Sequence, residues 1–397
     1  MDPAVNPFSP GAGTQPPVLA GRDGEIKQVK LLMRRFMAGR HERSLMIVGL
    51  RGVGKTVLLR RIEEVATSDE FDWAVDFLEV PNPQAHQRPF RDNVAGMCRR
   101  AALQLGRDQQ VADALHRFLR VLRSFRPKAT PSESGQIEFS VGIEPLAGLA
   151  DSGDLYRDLG DLFIELGKVA KAKGKGVILL FDEVQYLDRA DLSALVVGLH
   201  HVSQKGLPVT AIVAGLPTLP VLAAEAQSYA ERLFDTKHGR IGQIGDTETR
   251  RAFTEADLSV VWEQPALDLL VRVTDRYPHF IQEWGKQVWD IAPASPIREE
   301  DVKAAHELVM DALDVSLFHD RLERATPKER ELMRAMASLG DGPDRIGDVA
   351  AALGVPVQGL SMLRARLMKK GLIYTPDHGQ LAFTIPHFAD YLRRHPG

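Results

Sequence analysis

Gly49-Leu-Arg-Gly-Val-Gly-Lys-Thr56 lies between a short apolar run, 44–48, and a segment of helical periodicity, 57–65. It fits the pattern G-x-x-x-x-G-K-[ST], and each fixed residue has a physical reason. Glycine at Gly49, Gly52 and Gly54 lets backbone N–H groups turn inward around anionic oxygens that a side chain would obstruct. Lys55 sets a cation against the β- and γ-phosphates of a nucleotide, and Thr56 offers a hydroxyl to Mg²⁺. The helix that opens here points the positive end of its dipole at the same place. Leu50, Arg51, Val53 and Val57 complete the loop and first helical turn, so the expected nucleotide-binding run is 49–57. ATP and Mg²⁺ are the expected ligands.

A loop of this kind needs a carboxylate partner. Val177-Ile-Leu-Leu-Phe181 is five apolar residues in a row, followed at once by Asp182-Glu183. Such a run suits a strand buried on both faces of a parallel sheet. It delivers two carboxylates at the edge where open parallel sheets bind ligands. Asp182 is the expected holder of Mg²⁺, and Glu183 the group that polarises an attacking water. A simpler reading has Asp182 capping the next helix.

The flanking chain alternates helix and strand. Strands are expected at 44–48, 74–78, 177–181 and 209–214, with helices at 25–37, 57–65, 92–105, 109–122, 155–172 and 191–205. That alternation implies an α/β domain built on a parallel sheet with crossover helices. The segment 137–143 alternates apolar and polar residues and reads as a half-buried strand. Five prolines within 1–20 mark an extended arm. After Gly245 the chain reads as helices punctuated by Pro265, Pro278, Pro293 and Pro296. The expected division is therefore an arm at 1–22, an ATPase domain at 23–245, a helical lid at 246–312 and a last unit at 313–397.

The chain has 397 residues, 44% of them hydrophobic and 26% charged, with a net charge of −3. These values exclude a disordered or collagen-like chain, and no global field draws it to nucleic acid. The single cysteine, Cys98, cannot make an intramolecular disulfide and reads as a small buried hydrophobe. No run reaches the roughly 18 apolar residues of a membrane span, and the opening residues lack the features of a secretion signal. A cytoplasmic protein with no membrane partner is expected.

The last unit begins with a capping box, Thr326-Pro-Lys-Glu329, which opens a helix through Met336. A short helix at 348–353, a turn at Gly354-Val355, a helix from Pro356 to Lys370 and a hairpin turn at Asp377-His-Gly379 follow. Helix, helix–turn–helix and hairpin describe a winged helix. From Ser361 onward six Lys and Arg face two Asp. Arg364, Arg366, Lys369 and Lys370 are the expected DNA-binding residues, on a recognition helix that could enter a major groove of duplex DNA.

Taken together, these motifs resemble the AAA+ type of P-loop ATPase, in particular the prokaryotic ATPases related to origin-recognition initiators and to the STAND signalling class. The resemblance covers nearly the whole chain. It implies that Leu19-Ala-Gly-Arg-Asp23 contacts the adenine, with Gly21 and Arg22 near the base or ribose. It implies an arginine finger at Arg232, within Tyr229-Ala-Glu-Arg-Leu-Phe234, acting in cis or across the boundary of a homo-oligomer. After the strand at 209–214 the chain reads Gly215-Leu-Pro-Thr218, a departure from the polar sensor residue of the family, with Thr218 the candidate. The lid motif Gly-x-Pro is here Arg276-Tyr-Pro278, which makes Arg276 a candidate sensor of the γ-phosphate. Slow hydrolysis is expected. The function implied is ATP hydrolysis coupled to DNA binding. The alternative is a STAND-like switch whose winged helix docks a protein partner instead.

Overall fold

The computed structural model describes residues 1–11, 13–81, 90–106, 108–125 and 144–396. The strand expected at 137–143 lies outside the described residues. Five parallel strands form the central sheet: β1 (Ser44–Val48), β2 (Ala74–Glu79), β3 (Val177–Asp182), β4 (Val209–Gly215) and β5 (Phe234–Asp235). Their spatial order is β2-β3-β4-β1-β5, so β4 is inserted between the strand that feeds the glycine loop and the strand that carries Asp182. β3 and β4 are buried along their whole length.

Strand side chains alternate between faces, and both faces here are covered. Leu45 and Ile47 pack with the helix Asp23–Met37 and with the lid, whereas Met46 and Val48 pack with the helices Phe90–Gln104, Leu155–Lys173 and Arg189–Gln204. Cys98 is fully buried in that second layer, where burial raises its thiol pKa and keeps it protonated. The fifth strand was not expected. It has two residues, and Phe234 pairs with Ser44 at the start of β1.

The proline-rich segment is extended, yet it contributes to the core. Phe8 is 3% exposed and packs against Phe253, Trp262 and Trp289, with ring centroids 5.8, 6.1 and 6.4 Å away. Asn6 Nδ2 donates to Asp290 Oδ1 at 2.7 Å, and Ser9 N donates to Gln282 Oε1. These contacts tie the arm to the lid, and Gln15 Nε2, which donates to the Val57 carbonyl at 3.3 Å, ties it to the helix after the glycine loop.

Beyond the lid, the helix Glu299–Leu313 runs directly into a wider π turn, Asp314–His319, and then the helix Asp320–Glu323. The expected boundary at 312–313 falls inside this continuous helical run. The last unit continues with the helices Pro327–Leu339, Ile346–Leu353, Ser361–Lys369 and Phe388–Arg394, the third of them preceded by a 3₁₀ turn, Val357–Leu360. The capping box forms as expected, with Thr326 N donating to Glu329 Oε2 at 2.7 Å. Strands β6 (Asp344–Arg345), β7 (Ile373–Tyr374) and β8 (Gln380–Phe383) form a small antiparallel sheet with β8 in the middle. Among the described residues, no single helix is long and apolar enough to cross a membrane.

Candidate nucleotide site

The glycine loop leaves β1 and turns into the helix Lys55–Thr67, whose first residues are the Lys-Thr pair. Gly52 has a φ of +79°, and a Cβ on it would lie 3.0 Å from Tyr277 Cε1 and 3.1 Å from His279 Cβ. The loop needs glycine there for both conformation and space, because the lid presses directly upon it. His279 N donates to the Gly52 carbonyl at 3.1 Å, and the buried Tyr277 hydroxyl donates to the Arg51 carbonyl.

Lys55 is buried, and its ammonium donates to the carbonyls of Gly49 (3.0 Å) and Leu50 (2.9 Å). Burial lowers its pKa, and the carboxylates of Glu183 and Asp182 oppose that shift. Thr56 Oγ1 donates to Asp182 Oδ2 at 2.5 Å. Asp182, 1% exposed, also accepts the backbone N–H of Glu183 at 2.8 Å. Its pKa is raised by burial first, with Glu183 adding to the rise. A hydroxyl and a carboxylate side by side at the lip of a phosphate loop are the hard oxygen donors that Mg²⁺ takes, alongside phosphates and water. The residues present fit that ion.

Glu183 has a φ of +54° and accepts a hydrogen bond from Gln185 Nε2. Gln185 Oε1 in turn accepts Leu216 N at 3.1 Å, tying Glu183 to the end of β4. Arg51 Nη1 lies 3.8 Å from Glu183 Oε1, and Arg51 Nη2 donates to the Tyr186 hydroxyl at 2.7 Å. The residue after β4 is thus the apolar Leu216, and Gln185 supplies the polar group instead. Thr218 stands at the N-terminus of the helix Leu219–Ala226, outside the cavity wall.

These groups open on one cavity of about 420 Å³. Its wall is the loop from Arg51 to Val57, Glu183, the arm from Ser9 to Ala20, and lid residues such as Ile281. Arg22 belongs to the same wall. It is buried and donates to the carbonyls of Val53 (3.0 Å) and Gly242 (2.6 Å), and burial lowers its pKa.

Two expected site residues are placed elsewhere. Arg276 adopts a φ of +58°, the conformation that glycine adopts freely, but its guanidinium turns outward to Asp246 (3.4 Å) and Asp275 (3.6 Å). It does not line the cavity; its neighbour His279 does. Arg232 is exposed and sits two residues before Phe234, which pairs with the first residue of β1. That places it at the sheet edge opposite the glycine loop, so it does not reach the nucleotide site of its own chain. Among the wall residues outside the expected site are two with ionisable side chains: His279, which the Tyr-Pro spacing could have flagged, and Arg321, for which no motif existed.

The expected DNA-binding residues also divide. Arg366 and Lys369 are exposed and Arg364 is half-exposed, and none of the three makes an ion pair among the described residues. Lys370 is different. Its ammonium is spent inside the protein, on Glu329 Oε2 at 2.6 Å and the Arg324 carbonyl at 2.8 Å. Arg393 and Arg394 likewise pair with Asp341, Asp390 and Asp314, so most of the local positive excess is internally neutralised.

A glycine loop closed by Lys-Thr with its lysine buried, set across β4 from Asp-Glu with its aspartate buried, and capped by a helical lid, defines a P-loop ATPase of the AAA+ class. Residues 18–213 match the family described as AAA ATPase domain, and the chain carries that domain as its ATP-hydrolysing part. Residues 315–392 match a second family, described as Domain of unknown function (DUF8462). No curated protein matches the chain by sequence. Among solved structures, the fold resembles the Walker-type ATPase PABY2304 of Pyrococcus abyssi at a TM-score of 0.60 and 16% identity, over 94% of this chain and 96% of that one. Weaker likenesses include the RuvB Holliday junction branch migration motor of Thermotoga maritima (TM-score 0.47, 15% identity, 94% and 96% covered). Another is the ORC1 protein of Aeropyrum pernix, solved in complex with DNA (TM-score 0.44, 15% identity, 96% and 94% covered).

Proposed function

We propose that this ATPase is a Mg²⁺-dependent switch whose nucleotide state controls how a C-terminal winged helix engages duplex DNA. The observation that carries this reading is the position of Arg51. It is a loop residue at the phosphate site, it pairs with Glu183, and its backbone N–H donates to the Thr384 carbonyl at 3.3 Å. Its Nε also faces the Gly371 carbonyl at 3.5 Å. A change at the phosphates therefore has a short physical path to the C-terminal unit.

Thr56 and Asp182 would hold Mg²⁺, which when bound neutralises charge on the phosphates and fixes their geometry. Glu183 is the proposed acceptor for the proton of the attacking water. Lys55 leaves its two carbonyl partners to meet the phosphates, and the lid with the arm excludes bulk water. The antiparallel hairpin β7–β8 is the proposed wing, and Ser361–Lys369 the recognition helix, with Arg364, Arg366 and Lys369 meeting phosphates or base edges. Fluorescence anisotropy on duplex DNA, across a salt series with ATP and with ADP, tests this. Affinity that falls steeply with salt and differs between nucleotides supports it.

One observation favours a protein partner. Val355, Val357 and Met362 are exposed (40, 39 and 65%) around the first turn of the same helix. Such apolar exposure suits a protein surface better than a phosphate backbone. Failure to bind duplex at low salt in either nucleotide state would transfer the output to that surface.

A further inference from the structure

Arg321 belongs to the segment after the lid, yet its side chain stands in the wall of the nucleotide cavity. Its placement has a backbone cause. At Asp314–His319 the helix loosens into a π turn, and the residues that follow rotate relative to a regular helix. Ser316, Leu317 and Arg321 are the residues of this stretch that line the cavity. Single π turns inside helices often occur at functional sites. Arg321 Nη1 donates to the Leu317 carbonyl four residues back, which holds the guanidinium in place.

The charge around it is uncompensated. The charged residues of the wall are Arg22, Arg51, Lys55 and Arg321 against a single carboxylate, Glu183. Glu183 is already shared with Arg51. No carboxylate lies within ion-pair distance of Arg321 among the described residues. Burial pushes its pKa down to about 10, and Arg51 and Arg324 push the same way. A half-buried cation with no carboxylate partner is partly desolvated without charge compensation, and an anion entering the cavity supplies that compensation.

Position decides which part of the anion it meets. Arg321 interacts electrostatically with Arg51 and Tyr186, the residues that flank Glu183, and with His279. Arg321 thus shares the cavity wall with Arg51, the residue that reaches Glu183, the proposed water-activating carboxylate. We propose that Arg321 binds the terminal phosphate of ATP, so that the segment after the lid, and not the lid arginine Arg276, distinguishes ATP from ADP. The proposal rests on the reading that the triphosphate lies in the loop 49–56.

Isothermal titration calorimetry of the full chain with Mg²⁺, using AMP-PNP and ADP, tests it. Arg321→Gln should weaken AMP-PNP roughly 10- to 100-fold, as expected for loss of a charge-assisted contact, and ADP by less than about threefold. Arg321→Lys should recover part of the AMP-PNP affinity. In the absence of nucleotide, Arg321→Gln should keep or raise the melting temperature, because it removes a half-buried charge that has no carboxylate partner. Unchanged AMP-PNP affinity, or equal weakening of both nucleotides, would overturn the assignment, and a lowered melting temperature with equal weakening would make Arg321 a structural residue. Lys55→Ala separates the two readings: if it leaves both affinities unchanged, the loop itself has been misread, whatever Arg321 does.

Discussion

Arg51 in the phosphate loop and Thr384 in the C-terminal unit are joined by a backbone hydrogen bond of 3.3 Å, although 333 positions separate them (384 minus 51). The Arg51 side chain continues the junction to Glu183, to Tyr186 and toward Gly371. Gly371 is suited to this approach, because its φ is +65° and a Cβ would lie 2.8 Å from Arg51 Nη2. The C-terminal unit is therefore built against the loop that holds phosphate.

Lys55→Ala should abolish ATP binding or weaken it severely. The ammonium is the cation buried at the loop itself, and among the described residues its hydrogen-bond partners are the carbonyls of Gly49 and Leu50. A ligand bound only to the folded state raises the melting temperature by mass action. Thermal unfolding with millimolar ATP and Mg²⁺ should shift upward for the native chain and stay put for the variant.

Glu183→Gln should keep nucleotide affinity and lose turnover. The change removes the group proposed to accept a proton from water and leaves Lys55, Thr56 and Asp182 in place. Phosphate release against ATP concentration reads kcat, and equilibrium titration reads binding. Unchanged turnover would move the base elsewhere.

Phe8→Ala should destabilise the chain by about 3–5 kcal/mol, the usual cost of emptying a buried phenylalanine site. Phe8 fills a space between Phe253, Trp262 and Trp289, so the loss should also loosen the arm over the cavity. Urea unfolding measures the first effect. Faster proteolysis within residues 9–20 reports the second.

His279 gives the fold an acid sensitivity. Burial first, and then Arg321, push its pKa down to about 4, and its Nε2 is buried with no hydrogen-bond partner among the described residues. A histidine held neutral in the folded state contributes stability that is fully present above the unfolded value near 6.5 and is lost as pH falls toward 4. Between pH 7 and pH 5 the native chain should lose about 2 kcal/mol more than a His279→Gln variant. Urea unfolding at the two pH values checks this.

If Arg364, Arg366 and Lys369 meet DNA phosphates, replacing all three with Ala should lower the slope of log affinity against log salt by about 0.9 per contact. Lys370→Ala should leave the slope alone and lower the melting temperature, because it strands the buried Glu329 carboxylate. Anisotropy and thermal unfolding of the two variants separate surface charge from internal charge.

The sheet was legible because its strands are continuous apolar runs that end in chemistry: β1 in the glycine loop and β3 in Asp182-Glu183. The phosphate site was legible for the same reason, since its residues are neighbours in sequence. What escaped was set by contacts distant in sequence. Two residues, Phe234 and Asp235, are too short a strand to show periodicity. The proline content of the arm concealed that Phe8 is a core residue. Arg276 and His279 could be told apart only by where each side chain points. Lys370 looked like its exposed neighbour Lys369 until Glu329 was seen beneath it. Arg321 follows a π turn, which a reading at 3.6 residues per turn cannot register.

Coupling between the phosphate site and the C-terminal unit is tested most directly by hydrogen–deuterium exchange over residues 370–385, with Mg²⁺ and AMP-PNP, ADP or no nucleotide. Protection of this stretch should differ between AMP-PNP and ADP in the native chain, and Lys55→Ala should erase the difference. Identical exchange in all three states, in a chain shown by calorimetry to be saturated with nucleotide, would contradict a switch that acts through Arg51.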